Sequence, residues 1–374
     1  MLHPEHPETA SPRNRETIGI YIHLPFCATH CSYCPFVIST NMALEDRYVD
    51  ALLKEIESRQ PLGPIDTVYF GGGTPSRTKR SAEVSSALRA GSVPAELTLE
   101  ANPEDIDEEA IARWKAMGVD RLSIGVQSFN DEELTQIGRI HDASAAREAV
   151  RLAAASGLRT NLDLILGLPR QTADSFRASL REAIELGAGH LSLYMLDLDE
   201  KTPLQVQVAR GRTTLPEEDD VARLYAEAVE TLARGGLVQY EISNFARPGE
   251  ESQHNLRYWR REPYLGFGIG AHSFIGERRF ANTRDIHRYI ADPLHAEDFH
   301  EELSPEEKRH ELLFLQLRQS RGIHYDELIE LCGQEGVEWT ERGLREGWLR
   351  RVGSCVAFTP AGFLLSNDYI SQLF

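Results

Sequence analysis

Between positions 18 and 196 the sequence repeats one unit, a short β-rich run followed by a stretch with helical spacing of apolar residues. The runs are IGIYIHL (18–24), DTVYF (66–70), LTLEA (97–101), RLSIGVQ (121–127), TNLDLIL (160–166) and HLSLYML (190–196). Tyr48, Ala51, Leu52 and Ile56 share one helical face; Ile111, Trp114 and Met117 share another, and Phe176, Leu180, Ala183 and Ile184 a third. Gly118 and Gly187 follow the last two faces, where a helix C-terminus favours a left-handed residue. Six such units require a parallel sheet with right-handed crossovers. The sequence therefore predicts an α/β fold built on a partial, TIM-like (β/α)6 barrel over 17–237.

Residue parity sorts the strands into two faces. Ile18, Ile20, Ile22 and Leu24 oppose Gly19, Tyr21 and His23. Leu97 and Leu99 oppose Thr98 and Glu100, Leu122, Ile124 and Val126 oppose Ser123, Gly125 and Gln127, and Leu162, Leu164 and Leu166 oppose Asn161 and Asp163. The aliphatic face is expected against the helices, which leaves Tyr21, Glu100, Gln127 and Asp163 facing the barrel interior. A buried carboxylate without a partner is costly, so this lining predicts a polar ligand at the C-terminal ends of the strands.

Past Leu196 the pattern changes. A helix is expected from Glu217 to about Arg234, then an extension, 238–300, rich in glycine, aromatics and arginine. Ser304, Pro305 and Glu307 form a capping box that opens a C-terminal unit, 301–374. Its order of three helices, a hairpin near 348–358 and a closing helix predicts a small winged-helix-like domain. Residues 1–16 carry no apolar core and read as a flexible tail without a secretory signal, and no run reaches the ~20 apolar residues of a membrane span. The sequence thus predicts a soluble cytoplasmic protein and leaves only peripheral membrane contact open. A net charge of −18 opposes binding to nucleic acid, despite Arg342, Arg345, Arg350 and Arg351 in the C-terminal unit.

Two motifs carry chemistry. Cys27, Cys31 and Cys34 crowd into one loop directly after the first strand, whereas Cys332 and Cys355 are isolated and read as small buried hydrophobes. Three clustered thiols admit zinc, with His23 or His30 as fourth ligand, or an iron–sulfur cluster with one iron left open. Gly71-Gly72-Gly73-Thr74-Pro75 follows the second strand, and such a run allows close backbone approach to a ligand with N–H donors.

The pair of motifs, C-x3-C-x-Y-C after strand one and GGGTPS after strand two, resembles the radical S-adenosylmethionine (SAM) family. Within that family IYIHLPFC (20–27), LEANPE (99–104), RLSIGVQSF (121–129), DLILGLP (163–169), YEISNFARPG (240–249), HNLRYW (254–259), YLGFGIGAHS (264–273) and LLSN (364–367) resemble the oxygen-independent coproporphyrinogen III oxidase branch. The dehydrogenase of that branch has a further cysteine where this chain has Phe36; YEISNFA and HNLRYW are instead similar to the HemW-type heme chaperones. Pro35 and Arg170 depart from the usual pattern in two loops.

The resemblance implies a [4Fe–4S] cluster on Cys27, Cys31 and Cys34, its fourth iron chelated by SAM, whose reductive cleavage yields a 5′-deoxyadenosyl radical. It implies SAM contacts at Tyr21, Tyr33, Gly72 and Glu100, and at Gly73, Thr74, Gln127, Arg139 and Asp163, the latter set for a second SAM. It implies heme on His254 or Tyr258, with Trp259 over the porphyrin, Arg257, Arg260 and Arg261 near its propionates, and His272 a structural or porphyrin-pocket residue. Partners implied are heme or porphyrin, a heme-accepting apoprotein and an electron donor such as flavodoxin or ferredoxin. The function implied is heme delivery; the alternatives are coproporphyrinogen III dehydrogenation or another radical SAM modification of a porphyrin.

Overall fold

The computed structural model describes residues 17–60, 62–88, 94–198 and 202–374; the expected tail at 1–16 lies outside them. Six parallel strands form the centre: β1 (Ile18–Leu24), β2 (Ile65–Gly72), β3 (Glu96–Ala101), β4 (Arg121–Gln127), β5 (Arg159–Leu166) and β6 (His190–Met195). The second strand runs on into the glycines, because β1 keeps pairing with it at His23↔Gly71 and Leu24↔Gly72.

The aliphatic faces drive the packing. Ile20, Ile22, Leu24, Leu99, Leu122, Ile124, Val126 and Leu162 are fully buried against helices that contribute Tyr48, Leu52, Ile56, Trp114, Phe176 and Leu180. Burying such side chains stabilises by roughly 1.5–3 kcal/mol each relative to exposure. Asp107 and Thr172 cap two of these helices through their side chains, and Asp142 caps the helix Ala143–Ala155. Gly118 and Gly187 take the expected positive φ, +82° and +80°.

The segment after the helix Glu218–Arg234 extends the same sheet at both ends. β7 (Val238–Gln239) and β8 (Asn244–Ala246) run antiparallel beyond β6. β9 (Tyr264–Phe267) pairs parallel with β1, and β10 (His272–Ile275), β11 (Arg278–Asn282) and β12 (Glu297–Glu302) continue antiparallel. The strand order is β12-β11-β10-β9-β1-β2-β3-β4-β5-β6-β8-β7, an open sheet with two ends.

The C-terminal unit holds the helix Pro305–Leu317 with its capping box and the helical stretch Tyr325–Arg345, broken at Gly333 (φ +59°). Its strands β13 (Ile323–His324), β14 (Leu349–Val352) and β15 (Cys355–Phe358) order as β13-β15-β14. Trp339, Phe358, Phe363 and Tyr369 form its core. A seam of backbone bonds ties it to the sheet: Ile242 N–H to the Arg318 carbonyl (3.0 Å) and Ser320 N–H to the Tyr240 carbonyl (3.0 Å). Cys332 is buried, but Cys355 is only half-buried, because it sits on the outer hairpin.

Candidate functional site: the cysteine loop and the polar interior

The loop after β1 is closed at its base and pinned in its middle. Cys27 N–H donates to the Ser39 carbonyl (3.0 Å) and Ser39 N–H to that of Pro25 (2.8 Å). Ser32 N–H donates to the Ile137 carbonyl (3.1 Å), and Leu204 N–H donates back to Ser32 (2.8 Å). Tyr33 anchors the loop in a small apolar cluster with Ile137, Ile165, Leu168 and Leu204. The three thiols are half-buried. Burial pushes the Cys27 thiol up and that of Cys34 up to about 11; Cys31 adds to both shifts and Cys27 to that of Cys34.

Two donors face the sulfurs. Thr74 Oγ1 donates to Cys27 Sγ (3.5 Å) and an Arg139 amino group to Cys31 Sγ (3.8 Å). This set fits an anionic thiolate-bound cluster, whose sulfurs accept such bonds. Zinc would need a histidine as fourth ligand, and both candidates are hydrogen-bonded elsewhere. Both His23 nitrogens are engaged, with Tyr21 OH (3.1 Å) and the Val37 carbonyl (2.8 Å), and His30 Nε2 bonds the Cys34 carbonyl (3.3 Å).

The parity-selected side chains meet beside this loop. Glu100 accepts from Tyr69 OH (2.8 Å) and Gly72 N–H (3.1 Å). Asp163 accepts from Asn161 (2.9 Å) and Ser123 (3.3 Å). Burial raises both carboxyls, Glu100 to about 7, and for Glu100 the nearby Asp163 adds to the rise. Arg139 donates to Asn102 Oδ1 (2.6 Å) and the Gly125 carbonyl (2.7 Å), and its buried Nε has no partner among the described residues. The interior thus offers two destabilised carboxylates for a cation and one unsatisfied guanidinium donor for an anion, the charge pattern of an amino acid bearing a sulfonium.

Gln127 ends β4 at φ +66°, a left-handed conformation that costs a non-glycine residue roughly 1–3 kcal/mol. The glycine loop departs from expectation: its amides are already spent. Gly72 N–H goes to Glu100, Gly73 N–H to the Leu24 carbonyl (2.9 Å) and Thr74 N–H to the Phe26 carbonyl (2.9 Å). The glycines also allow close packing, since a Cβ on Gly72 would lie 2.7 Å from the His23 ring. Asn102, which also donates to Thr74 (3.2 Å), escaped the sequence reading. Its position just past a strand end was the available signal.

The HNLRYW segment also departs from expectation. It forms the helix Gln253–Trp259, docked at the N-terminal end of the barrel. Glu96, at the start of β3, accepts from His254 N–H (3.0 Å) and Gln253 N–H (3.2 Å) while paired with the buried Arg121 (3.1 Å). His254 is a buried rung between Tyr69 and Tyr258. Nδ1 shares a hydrogen bond with Thr67 (2.8 Å) and Nε2 one with Tyr258 OH (2.8 Å), and burial lowers its pKa to about 3. Axial ligation by His254 therefore has no free nitrogen to use. Arg257 and Arg261 are not a propionate pocket. Arg257 holds Asp66 (2.9 Å) and the Pro263 carbonyl (3.1 Å), and Arg261 holds Glu311 (2.5 Å) and Glu277 (2.9 Å). Trp259 is half-buried; its carbonyl accepts from Gln319 (3.1 Å).

A cleft of 680 Å³ opens between the cysteine loop and β9–β12. Tyr21, His23, Phe36, Tyr258, His272 and Phe299 are among its walls; His254 and Trp259 do not reach it. No described helix is long and apolar enough to cross a membrane.

Comparison with known proteins agrees with this geometry. Residues 21–183 match the radical SAM superfamily model. The chain is 36% identical to the heme chaperone HemW of Bacillus subtilis, over 93% of this chain and 97% of that one. It is 36% identical to the heme chaperone HemW of Lactococcus lactis, over 94% and 96%. The coproporphyrinogen III oxidase HemN of Escherichia coli, a radical SAM enzyme, superposes with a TM-score of 0.81 over 97% of this chain and 91% of that one; at 24% identity the likeness concerns the fold. By identity that runs nearly end to end, and with the cysteine loop and polar interior of a radical SAM protein, the chain belongs to the HemW heme chaperone family.

Proposed function

We propose that this protein is a cytoplasmic heme chaperone that binds heme and passes it to an acceptor apoprotein. The observation that carries the reading is the near-complete alignment with two heme chaperones. Phe36, where the dehydrogenase has a further cysteine, supports it.

Cys27, Cys31 and Cys34 would hold a [4Fe–4S] cluster, with Thr74 and Arg139 donating to two of the sulfurs. Bound there, the cluster supplies an open iron for SAM and an electron from a donor such as flavodoxin or ferredoxin. Glu100 and Asp163 would face the cationic groups of SAM and Arg139 Nε its carboxylate, with Tyr21, Tyr33, Gly72, Gly73, Thr74 and Gln127 shaping the site for one or two SAM molecules. The expected outcome of anaerobic reconstitution is a brown protein that takes up hemin with a Soret band and hands it to an apo-hemoprotein. Conversion of coproporphyrinogen to protoporphyrinogen with SAM and reductant, without heme uptake, would establish the dehydrogenase reading instead.

A further inference from the structure

Two side chains on the cleft are left without partners among the described residues. His272 opens β10 with its ring exposed, and no described residue hydrogen-bonds to it; its one ring neighbour is Phe299, at 6.2 Å. His23, the other histidine of the cleft, has both nitrogens engaged. Arg284 is also exposed on the cleft, and no described carboxylate pairs with it. The two nearest acids in the cleft wall are committed. Asp285 accepts from His287 and Arg288 N–H groups (2.8 and 3.2 Å), and Asp298 pairs with Arg288.

The remaining walls mix hydroxyl and amide side chains, Tyr21, Tyr258, Tyr264, Asn282 and Thr283, with apolar surface. Phe36 is 66% exposed and Phe299 40% exposed, an unusual amount of aromatic surface to leave in water on a cleft. An accessible imidazole, a lone guanidinium and exposed aromatic surface match a flat macrocycle with apolar faces, a metal that takes a nitrogen ligand, and carboxylate side arms. The volume falls in the range of roughly 300–1,000 Å³ for small-molecule sites. His272 is held in register opposite Ala281, and the turn before it packs on the cysteine loop, with a Gly270 Cβ position 3.2 Å from Val37. Partial burial, aided by Arg284 and Arg279, lowers the pKa of His272, which favours the neutral, ligating form of the ring.

We infer that this cleft is the heme site, with a ring nitrogen of His272 as axial ligand to the iron and Arg284 holding a propionate. The inference rests on the heme-chaperone reading and moves the ligand from the HNLRYW helix to β10. The test titrates the full-length, cluster-loaded chain with hemin, following Soret absorption and electron paramagnetic resonance, with iron content and thermal melts as folding controls. His272→Ala is expected to weaken binding about tenfold or more and to lose the wild-type axial signature, which added imidazole restores. His272→Cys is expected to give a thiolate signature, and Arg284→Ala a several-fold loss of affinity with the wild-type spectrum. If both His272 variants fold and keep wild-type affinity and spectrum, the inference is overturned while the chaperone reading stands. If the wild-type chain takes up no heme, both fall.

Discussion

Gly73 shows how tightly single atoms govern the cysteine loop. A Cβ there would lie 2.5 Å from the Pro25 backbone, which no side-chain rotation relieves. Gly73→Ala is therefore expected to destabilise the protein by about 1–3 kcal/mol and to lower iron and sulfide content after reconstitution, read by metal analysis and melting. Glu100 makes a second prediction. With its carboxyl raised to about 7, the folded chain without ligand holds a proton there at mildly acidic pH. A bound cation favours the ionised form, so binding releases protons, and SAM affinity should rise from about pH 5 to about pH 7 and then level off. Calorimetry in buffers of different ionisation enthalpy reads the proton release; Glu100→Gln should remove it and weaken SAM by about 1.5–3 kcal/mol. Glu100 and Asp163 were legible because strand parity alone assigns their face. Arg284 and the unoccupied ring of His272 were not, because whether a side chain has a partner depends on contacts between distant segments that no local periodicity encodes.

At the scale of elements, the helix Gln253–Trp259 is fixed by one carboxylate. Glu96 receives two of its N-terminal amides and neutralises Arg121, and Arg159 also reaches it (3.3 Å). Glu96→Ala would leave Arg121 buried without a counter-charge and the helix amides unsatisfied. It is expected to cost about 3–5 kcal/mol, read as a lower urea midpoint. For the same reason His254→Ala should lower stability whether or not heme is present, so loss of heme in that variant has to be judged against its melt. The six strands and their helices were readable from alternation, and the capping box at Ser304 from three residues. The docking of HNLRYW at the barrel's N-terminal end was not. Its polar residues look like a ligand site in isolation, and only the long-range partners Thr67, Asp66 and Glu96 reveal a plug.

For the whole molecule, the seam between sheet and C-terminal unit carries a buried acid. Glu241 lies fully buried, its Oε1 without a hydrogen-bond partner among the described residues, and burial raises it to about 7. The folded state then binds more protons than the unfolded one between about pH 4.5 and 7, so this residue's contribution to stability falls as pH rises through that window, by up to about 3 kcal/mol. Urea melts of the apoprotein at pH 5 to 8 should show the decline, and Glu241→Gln should flatten its share. The C-terminal helices and hairpin followed the sequence pattern, yet the sheet's true extent did not, since 238–300 reads as an appendage while its strands lie at both margins of the barrel. That arrangement has a consequence for biogenesis. β1 is made before every other described strand, but its outer edge is completed only by Tyr264–Phe267. Until that distant segment has been made, the nascent chain carries a half-satisfied strand beside three cysteines, so a cluster loaded before then would sit on an unfinished sheet edge.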